Sequence, residues 1–375
     1  MFEKRLSKSV LCVFCLLCVS FFADCGAAFT QTQGSLSTTK SDAGQPAFTG
    51  LDEAVLQGVT YERLKQENPV GRQSLSCKIG EYLLFSDMGG YQVPGKEESH
   101  LILMKPDGTE RKIIYSSPNL IGHVQLVDEN RVAFSVLKLV EPELALYDYF
   151  YFNLRTGVAE RFSENPTGDP NAAFMYPVWV DGNMIFQMLV NNPDPGAPGV
   201  NGIMSRLYCK NAAGETVLLA EQLSNYYIDC DSVYILESGA EAWLVCNLDG
   251  SDLRQTGRKA KQRIWGDYLA DFSAGKPVFT NLLTNEKAQM TLVAADVNFR
   301  GWSGTHAYFL EEDGIYRVAF ASGEVEQVAD KAGRLTDIYD NFVVFAVNES
   351  ERSFAEDRPY IACFGDPVSR RMVPE

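Results

Sequence analysis

The chain has 375 residues, 46% of them hydrophobic, with 22 Phe and 17 Tyr, which is enough apolar material for a sizeable buried core. Its formal charge is −16 at pH 7, from 33 Lys and Arg against 49 Asp and Glu. Because nucleic-acid binding needs a basic surface that releases counterions, this balance predicts no nucleic-acid partner. An acidic surface also has no attraction to anionic lipid.

The first 24 residues have the pattern of a secretory signal peptide. Lys4, Arg5 and Lys8 precede an apolar run at 10–22, which is short for a transmembrane helix and typical of a signal sequence. We therefore expect a bacterial protein that is exported to the outer side of the cytoplasmic membrane or to the extracellular space.

Cys25 follows the apolar run directly, where a lipoprotein signal places its acylated cysteine. Asp24 departs from the small residue that normally stands before such a cysteine, so cleavage near Ala27 and release of a soluble protein stays open as the alternative. If Cys25 is acylated, this anchor is the chain's one expected contact with a membrane.

Three segments follow the signal peptide. Residues 25–50 are rich in Ser, Thr, Gly and Gln and have no hydrophobic period, which is typical of a flexible tether. The lead-in segment 51–74 is compatible with a short helix or an edge strand. Residues 75–375 contain a repeated pattern that we assign to one domain.

The repeat consists of seven units, each with a short strand followed by two hairpins with polar turns. The opening strands read SLSCKI, HVQLVD, YPVWVD, NYYID, QRIWG, FRGWSG and LTDIYD. Four strands in about 43 residues match one propeller blade, whose two faces must be covered by neighbouring blades. The sequence therefore predicts an all-β fold, a β-propeller of seven four-stranded blades, with six or eight blades or a β-sandwich as alternatives.

Three hairpins carry a recurrent pattern of an apolar strand and a turn that contains glycine: HLILMKPDGTERKI (100–113), EAWLVCNLDGSDLRQ (241–255) and GIYRVAFASGEVEQV (314–328). This pattern resembles the secreted bacterial propeller-like domains of poorly characterised families, which are akin to TolB-like and WD-repeat architectures. The resemblance covers most of 75–375. It implies the propeller fold and a binding or scaffolding role.

Motifs for catalysis or metal binding are missing. The chain has no G-x-S-x-G nucleophile elbow, and its C-x-x-C spacings, formed by Cys12, Cys15 and Cys18, fall within the apolar run of the signal sequence. His100, His123 and His306 fall in different units without metal-ligand spacing. We therefore expect no metal and no cofactor. The residues favour a binding or scaffolding module over an enzyme.

Carboxylates near the central channel provide the alternative, a carbohydrate-active hydrolase or lyase. Such an enzyme needs two convergent acids, and several aspartates stand at the turns between the first and second strands of units. Aspartate is also favoured at turns for purely local reasons. These candidates are Asp128, Asp181, Asp229, Asp231 and Asp340.

The connections between the second and third strands differ in length. Those at 87–100, 137–148, 189–205 and 348–359 are long and those of units 4 to 6 are short, so half of one face should be rich in loops. Loops on a rigid scaffold commonly carry binding function. We expect a protein, peptide or glycan partner, neutral or cationic, to contact Tyr91, Tyr147, Asn191, Asn192, Asp194, Phe354 and Asp357.

Overall fold

In a computed structural model, the described residues are 50, 74–88, 98–141, 144–192, 203–229, 231–273, 277–289, 299–339, 341–348 and 357–372. They form 28 strands in seven four-stranded antiparallel sheets. The predicted all-β propeller of seven blades is therefore confirmed. In these ranges the chain forms no helix, so none is present that is long and apolar enough to cross a membrane.

Each blade contains four strands that are consecutive in the sequence, so every blade folds from one continuous stretch of chain. The strands of blades 1 to 4 are β1 Ser76–Ile79, β2 Tyr82–Ser86, β3 Ser99–Met104, β4 Lys112–Ser117, β5 Ile121–Asp128, β6 Arg131–Glu141, β7 Leu144–Asn153, β8 Ala159–Phe162, β9 Ala173–Val180, β10 Asn183–Asn191, β11 Ile203–Lys210, β12 Thr216–Ala220, β13 Leu223–Asp229, β14 Ser232–Glu237, β15 Ala242–Asn247 and β16 Arg254–Lys259.

The remaining three blades follow the same order. Their strands are β17 Gln262–Trp265, β18 Tyr268–Asp271, β19 Val278–Asn281, β20 Lys287–Gln289, β21 Phe299–Trp302, β22 His306–Glu311, β23 Gly314–Ala319, β24 Val325–Ala329, β25 Arg334–Ile338, β26 Phe342–Asn348, β27 Asp357–Cys363 and β28 Asp366–Arg371. We call the four strands of each blade A to D, from the first to the last in sequence.

The polar turns predicted from the sequence close the hairpins. In the C–D turn of blade 4, Gly250 has φ 83°, a left-handed conformation that glycine adopts without a steric penalty. A Cβ atom at Gly250 would lie 3.1 Å from Leu219 of blade 3. The backbone conformation therefore favours glycine at this turn, and a Cβ atom there would also require the Leu219 side chain to shift slightly.

The hydrophobic core lies between the blades, because each sheet is covered on both faces. Blades 4, 5 and 6 share a cluster that includes the buried side chains of Trp243, Trp265 and Trp302. The rings of Trp265 and Trp302 stack with their centroids 5.0 Å apart. Truncating such a buried ring to alanine typically costs about 3–5 kcal/mol.

Within the described part of the chain, blades 7 and 1 close the ring without sharing a strand, since β1 and β28 belong to different sheets. Apolar side chains of both blades form one cluster, which contains Leu83, Phe85, Ile102, Met104, Phe342, Val344, Ile361 and Met372. Packing of these apolar side chains therefore holds blades 7 and 1 together where the ring closes.

Asp337 on β25 provides the polar part of the closure. Its carboxylate accepts hydrogen bonds from Ser74 Oγ, from Ser76 Oγ at 2.9 Å and from the backbone N–H of Leu75 at 3.2 Å. A further hydrogen bond of 2.8 Å joins Ser76 Oγ to Tyr339 Oη. Burial raises the pKa of Asp337 to about 6, although the hydrogen bonds from the two serines and Leu75 act in the opposite direction.

We expect the contribution of Asp337 to the free energy of unfolding to fall as the pH rises from about 4 to about 6. Asp337 binds its proton more tightly in the folded chain, where its pKa is about 6, than at the ordinary value of 3.8. The protonated form therefore favours folding, and ionisation removes up to about 3 kcal/mol of stability across this window. Cys77 and Tyr339 stay neutral there, because burial and the charge of Asp337 raise the pKa of both.

Urea unfolding of the wild type and Asp337→Asn between pH 4 and pH 7 measures this effect. The free energy of unfolding of the wild type should drop relative to that of the variant as the pH rises. Parallel pH profiles for the two proteins would contradict the raised pKa.

Candidate ligand-binding cleft

Blades 1, 3 and 7 have long connections between strands B and C, as predicted. The connection predicted at 137–148 in blade 2 is instead mostly paired strand. β6 continues to Glu141 and β7 begins at Leu144, with Leu139 opposite Leu146 and Val140 opposite Ala145. This part of the prediction is wrong, because the apolar residues on both sides of the turn pair as strands. In blade 3, by contrast, β10 ends at Asn191 and β11 begins at Ile203.

The B–C hairpin of blade 2 rises above the inner strand of its own blade. The pairing of β5 with β6 ends at Ile121 and Val136, so residues 137–141 extend beyond it by about 16 Å at 3.3 Å per residue. Because neighbouring strands are antiparallel, the B–C turns and the D–A connections lie at the same end of every blade. We call this end of the propeller the loop face and the opposite end the turn face.

The structure brings two of the predicted binding residues together. Tyr147 on β7 and Asn191 at the end of β10 line one cleft between blades 2 and 3 on the loop face. Asn192 is half-buried beside Asn191. Asp357 is the first residue of β27 in blade 7 and pairs with Asn348. Four predicted residues lie outside the described ranges: Tyr91, Asp194, Phe354 and the lipidation candidate Cys25.

The cleft has a volume of about 280 Å³ and an aromatic floor. Tyr149 is 2% exposed and lies at the centre of this floor. Its ring contacts Phe174 edge-on at 5.2 Å, Phe162 at 6.1 Å and Tyr147 at 6.5 Å between centroids. Strand pairing produces this cluster, because Tyr149 is opposite Phe162 in the β7–β8 ladder.

The phenol of Tyr149 ties the floor of the cleft to blade 3. Its oxygen accepts a hydrogen bond of 2.9 Å from the backbone N–H of Tyr176 on β9. Burial raises the pKa of Tyr149 far above its ordinary range, so the phenol stays neutral. The floor is therefore held by a hydrogen bond between blades as well as by ring packing.

Two inner-strand residues next to this floor have an unusual backbone conformation. His123 on β5 has φ 49° and Tyr176 on β9 has φ 50°, a region that bulky residues rarely adopt. The imidazole Nε2 of His123 donates to the carbonyl of Pro177 at 2.5 Å, and its ring contacts Tyr149 edge-on at 6.2 Å. Backbone strain of this kind concentrates at functional sites, where the surrounding structure holds it in place.

Polar groups surround the aromatic floor. Ser163, Asn171 and Asn191 come from the end of β8, the connection between blades 2 and 3, and the end of β10. Arg161 also lines the cleft and forms an ion pair of 2.6 Å with Asp148, whose side chain is only 14% exposed. The cleft can therefore offer an apolar surface together with neutral donors and acceptors at its rim.

Tyr149, Phe162 and Phe174 are not among the site residues predicted from the sequence. The run Tyr147–Phe152 is unusually aromatic, and alternate side chains on a strand share one face, which could have pointed to Tyr149 beside Tyr147. Phe162 and Phe174 belong to other strands, and no local pattern in the sequence relates them to Tyr147.

The described aspartates that were candidates for channel chemistry lie at the end of an A strand or in the A–B turn that follows it. Asp128 accepts from the backbone N–H of Asn130 at 2.9 Å and forms an ion pair of 2.7 Å with Arg131. Asp229 accepts from the backbone N–H of Gly266 at 2.8 Å. Asp181 and Asp231 lie in the A–B turns of blades 3 and 4, and Asp340 lies outside the described residues.

The histidines and cysteines are dispersed. His100 on β3 contacts the buried carboxylate of Asp87 through Nδ1 at 2.9 Å, and His306 is in blade 6. The described cysteines are free thiols: Cys77, Cys209, Cys246 and Cys363. Within the described ranges, no group of three or more His, Cys, Asp or Glu is arranged to hold a metal ion.

No protein-family model and no curated protein sequence matches the chain. Among solved structures it is similar to the acylaminoacyl peptidase of Pyrococcus horikoshii, with TM-score 0.52 and 11% identity over 80% of this chain and 52% of that one. The chain thus spans about half of that peptidase. Identity at this level shows a shared fold and nothing further.

Two other solved structures superpose with lower scores. The oligogalacturonate lyase of Vibrio parahaemolyticus has TM-score 0.47 and 14% identity over 76% of this chain and 86% of that one. The β-propeller domain of the Trilobed protease of Pyrococcus furiosus, which has an open velcro topology, has TM-score 0.38 and 12% identity over 81% of this chain and 84% of that one.

We expect Tyr149→Phe to lower the free energy of unfolding by about 1 kcal/mol, because the Tyr176 N–H loses its acceptor while the ring remains. Tyr227→Phe is the matched control. The Tyr227 phenol accepts from the backbone N–H of Ile264 at 3.1 Å between blades 4 and 5, away from the cleft. Urea unfolding should give similar losses for both variants. An unchanged stability of Tyr149→Phe would contradict the anchoring role of its hydroxyl.

Proposed function

We propose that this protein is an exported binding module whose ligand, a protein segment, peptide or glycan, occupies the cleft between blades 2 and 3. The supporting observation is the convergence of Tyr147 and Asn191 on one aromatic cleft of the loop face. Asn191 stands at the start of the long B–C connection of blade 3, and Tyr147 on β7 of blade 2 lines the same cleft. A concave, mostly apolar site with a few placed polar groups is the usual form of a ligand site.

A binding role fits the described carboxylates better than the hydrolase or lyase alternative. Glycoside hydrolysis needs two acids that face each other across an accessible space. Asp128 and Asp229 contact turn backbone instead. Asp337 is 8% exposed and accepts hydrogen bonds from the serines of blade 1. These contacts hold the carboxylates in structural roles.

A lipid anchor at Cys25 is part of the same proposal. Gly50 lies against the C–D turn of blade 2, where a Cβ atom on it would be 1.8 Å from the carbonyl oxygen of Arg155. This turn belongs to the turn face, opposite the cleft. A chain that arrives from an anchored Cys25 would therefore meet the propeller on the turn face and leave the cleft directed away from the membrane.

Metabolic labelling with a palmitate analogue tests the anchor. The wild type should be labelled and Cys25→Ala should not, because the acylated thiol is gone. Cys363→Ala is the control, since Cys363 is an exposed free thiol within the propeller, and it should be labelled like the wild type. Equal labelling of wild type and Cys25→Ala would refute acylation at Cys25.

Printed arrays of glycans and peptides test the binding role. We expect Tyr147→Ala and Asn191→Ala each to weaken the signals of the wild type about tenfold, which corresponds to about 1.4 kcal/mol. Tyr316→Ala removes a half-buried tyrosine of blade 6 that bonds to Asp313, and it should leave these signals unchanged. Signals that survive both cleft substitutions and respond to Tyr316→Ala would place the binding surface elsewhere on the ring.

A further inference from the structure

We propose that the ligand of the cleft is a saccharide, with one ring face stacked on Tyr147 and its hydroxyl groups bonded to the neutral rim. This inference rests on the proposed function and narrows its ligand from three classes to one. Four properties of the cleft support it: its size, the exposure of its aromatic rings, the chemistry of its rim and its charge.

The size of the cleft favours a small ligand. Its volume of about 280 Å³ lies near the lower end of the range for small-molecule pockets, which is about 300–1,000 Å³. A stable protein interface instead buries about 800 Å² on each partner. The cleft therefore suits one or two sugar rings better than the surface of a folded domain.

The floor offers one suitable stacking platform. Tyr149 and Phe174 are 2% and 7% exposed, so their rings support the floor from below. Phe162 is half-buried, and one of its faces is occupied by Tyr151 at 4.0 Å. Tyr147 is half-buried at the edge of this cluster. The electron-rich face of such a ring attracts the C–H groups on one face of a pyranose, which carry partial positive charge.

The rim matches hydroxyl groups. An amide side chain presents a donor and an acceptor side by side, and a serine hydroxyl serves as both. Asn171, Asn191 and Ser163 approach the cleft from three chain segments and are all exposed. Sugar hydroxyls, which also donate and accept, point outward from the ring in several directions. Peptide recognition more often uses a strand edge, a helix groove or a proline-rich groove.

The charges of the lining disfavour a cationic peptide. The carboxylate of Asp148 is bonded to Arg161 and is 14% exposed, whereas the side chain of Arg161 is 53% exposed. Lys138 adds an exposed ammonium group to the wall. The charges of Asp148 and Arg161 compensate each other, so Lys138 leaves the lining net positive in a chain with net charge −16. A neutral or weakly acidic saccharide meets no repulsion here, but a lysine-rich or arginine-rich peptide would.

Saturation-transfer NMR on the full propeller can test the ligand class. The probes are a panel of hexoses, N-acetylhexosamines, uronic acids and their disaccharides at millimolar concentration, and a second panel of tripeptides with aromatic, acidic and basic residues. The proteins are the wild type, Tyr147→Ala, Tyr147→Phe and Asn191→Ala, with Tyr316→Ala as the control. Circular dichroism and urea unfolding show whether each variant is folded.

We expect at least one saccharide to give transfer that is strongest on its ring C–H protons. Its affinity should fall at least tenfold in Tyr147→Ala and stay within about threefold of wild type in Tyr147→Phe and Tyr316→Ala, because the ring, not the hydroxyl, is the platform. Asn191→Ala should weaken the same ligand.

Two results would overturn the saccharide assignment and differ in what they say of the proposed function. Tyr147-dependent transfer to tripeptides with none to saccharides would leave a binding module of another ligand class. If neither panel shows transfer, or if saccharide transfer is unchanged in Tyr147→Ala, the cleft is not the binding site and the proposed function fails with it.

Discussion

The structure depends on closing a ring of seven sheets that cannot cover their own faces. An isolated blade would expose apolar side chains on both sides, so each blade is stable only between two neighbours. Elsewhere in the ring the chain runs directly from one blade into the next, but blades 7 and 1 are the last and the first in the sequence and share no strand within the described ranges. The cluster around Phe85 and Phe342 and the contacts of Asp337 with Ser74 and Ser76 therefore carry the closure.

The closed ring explains why a cleft can persist between blades 2 and 3. Strand β8 ends at Phe162, which pairs with Tyr149, whereas its neighbour β7 extends further toward the loop face, to Leu144. The outer strand therefore stops short, and the connection to blade 3 passes beside the space that remains. In a less rigid fold such a gap would collapse. Here the aromatic floor and the hydrogen bond from Tyr176 to Tyr149 fix the positions of blades 2 and 3 relative to each other at the base of the cleft.

The repeat in the sequence was sufficient for the fold and for part of the site. Strand period and turn composition are local properties, so the seven units and their order could be predicted. The long connection of blade 3 also indicated Asn191, whereas Tyr147 was predicted from a loop at 137–148 that is mostly paired strand. Phe162 could not be predicted as a site residue, because its role depends on the β7–β8 register and on the neighbouring blade. The role of Asp337 was hidden as well, since its partners Ser74 and Ser76 are more than 260 residues away in the sequence.

A hydrogen-bonded path along the inner strands joins the ring closure to the cleft. Ser74 bonds to Asp337, and its backbone carbonyl accepts from the N–H of Val124 at 2.9 Å. The next residue toward the N-terminus, His123, has the strained backbone and bonds to Pro177 of blade 3. Strain of this kind persists only where the surrounding structure over-determines it. The contacts that close the ring and the strained backbone beside the floor of the cleft therefore belong to one continuous set of hydrogen bonds along the inner strands.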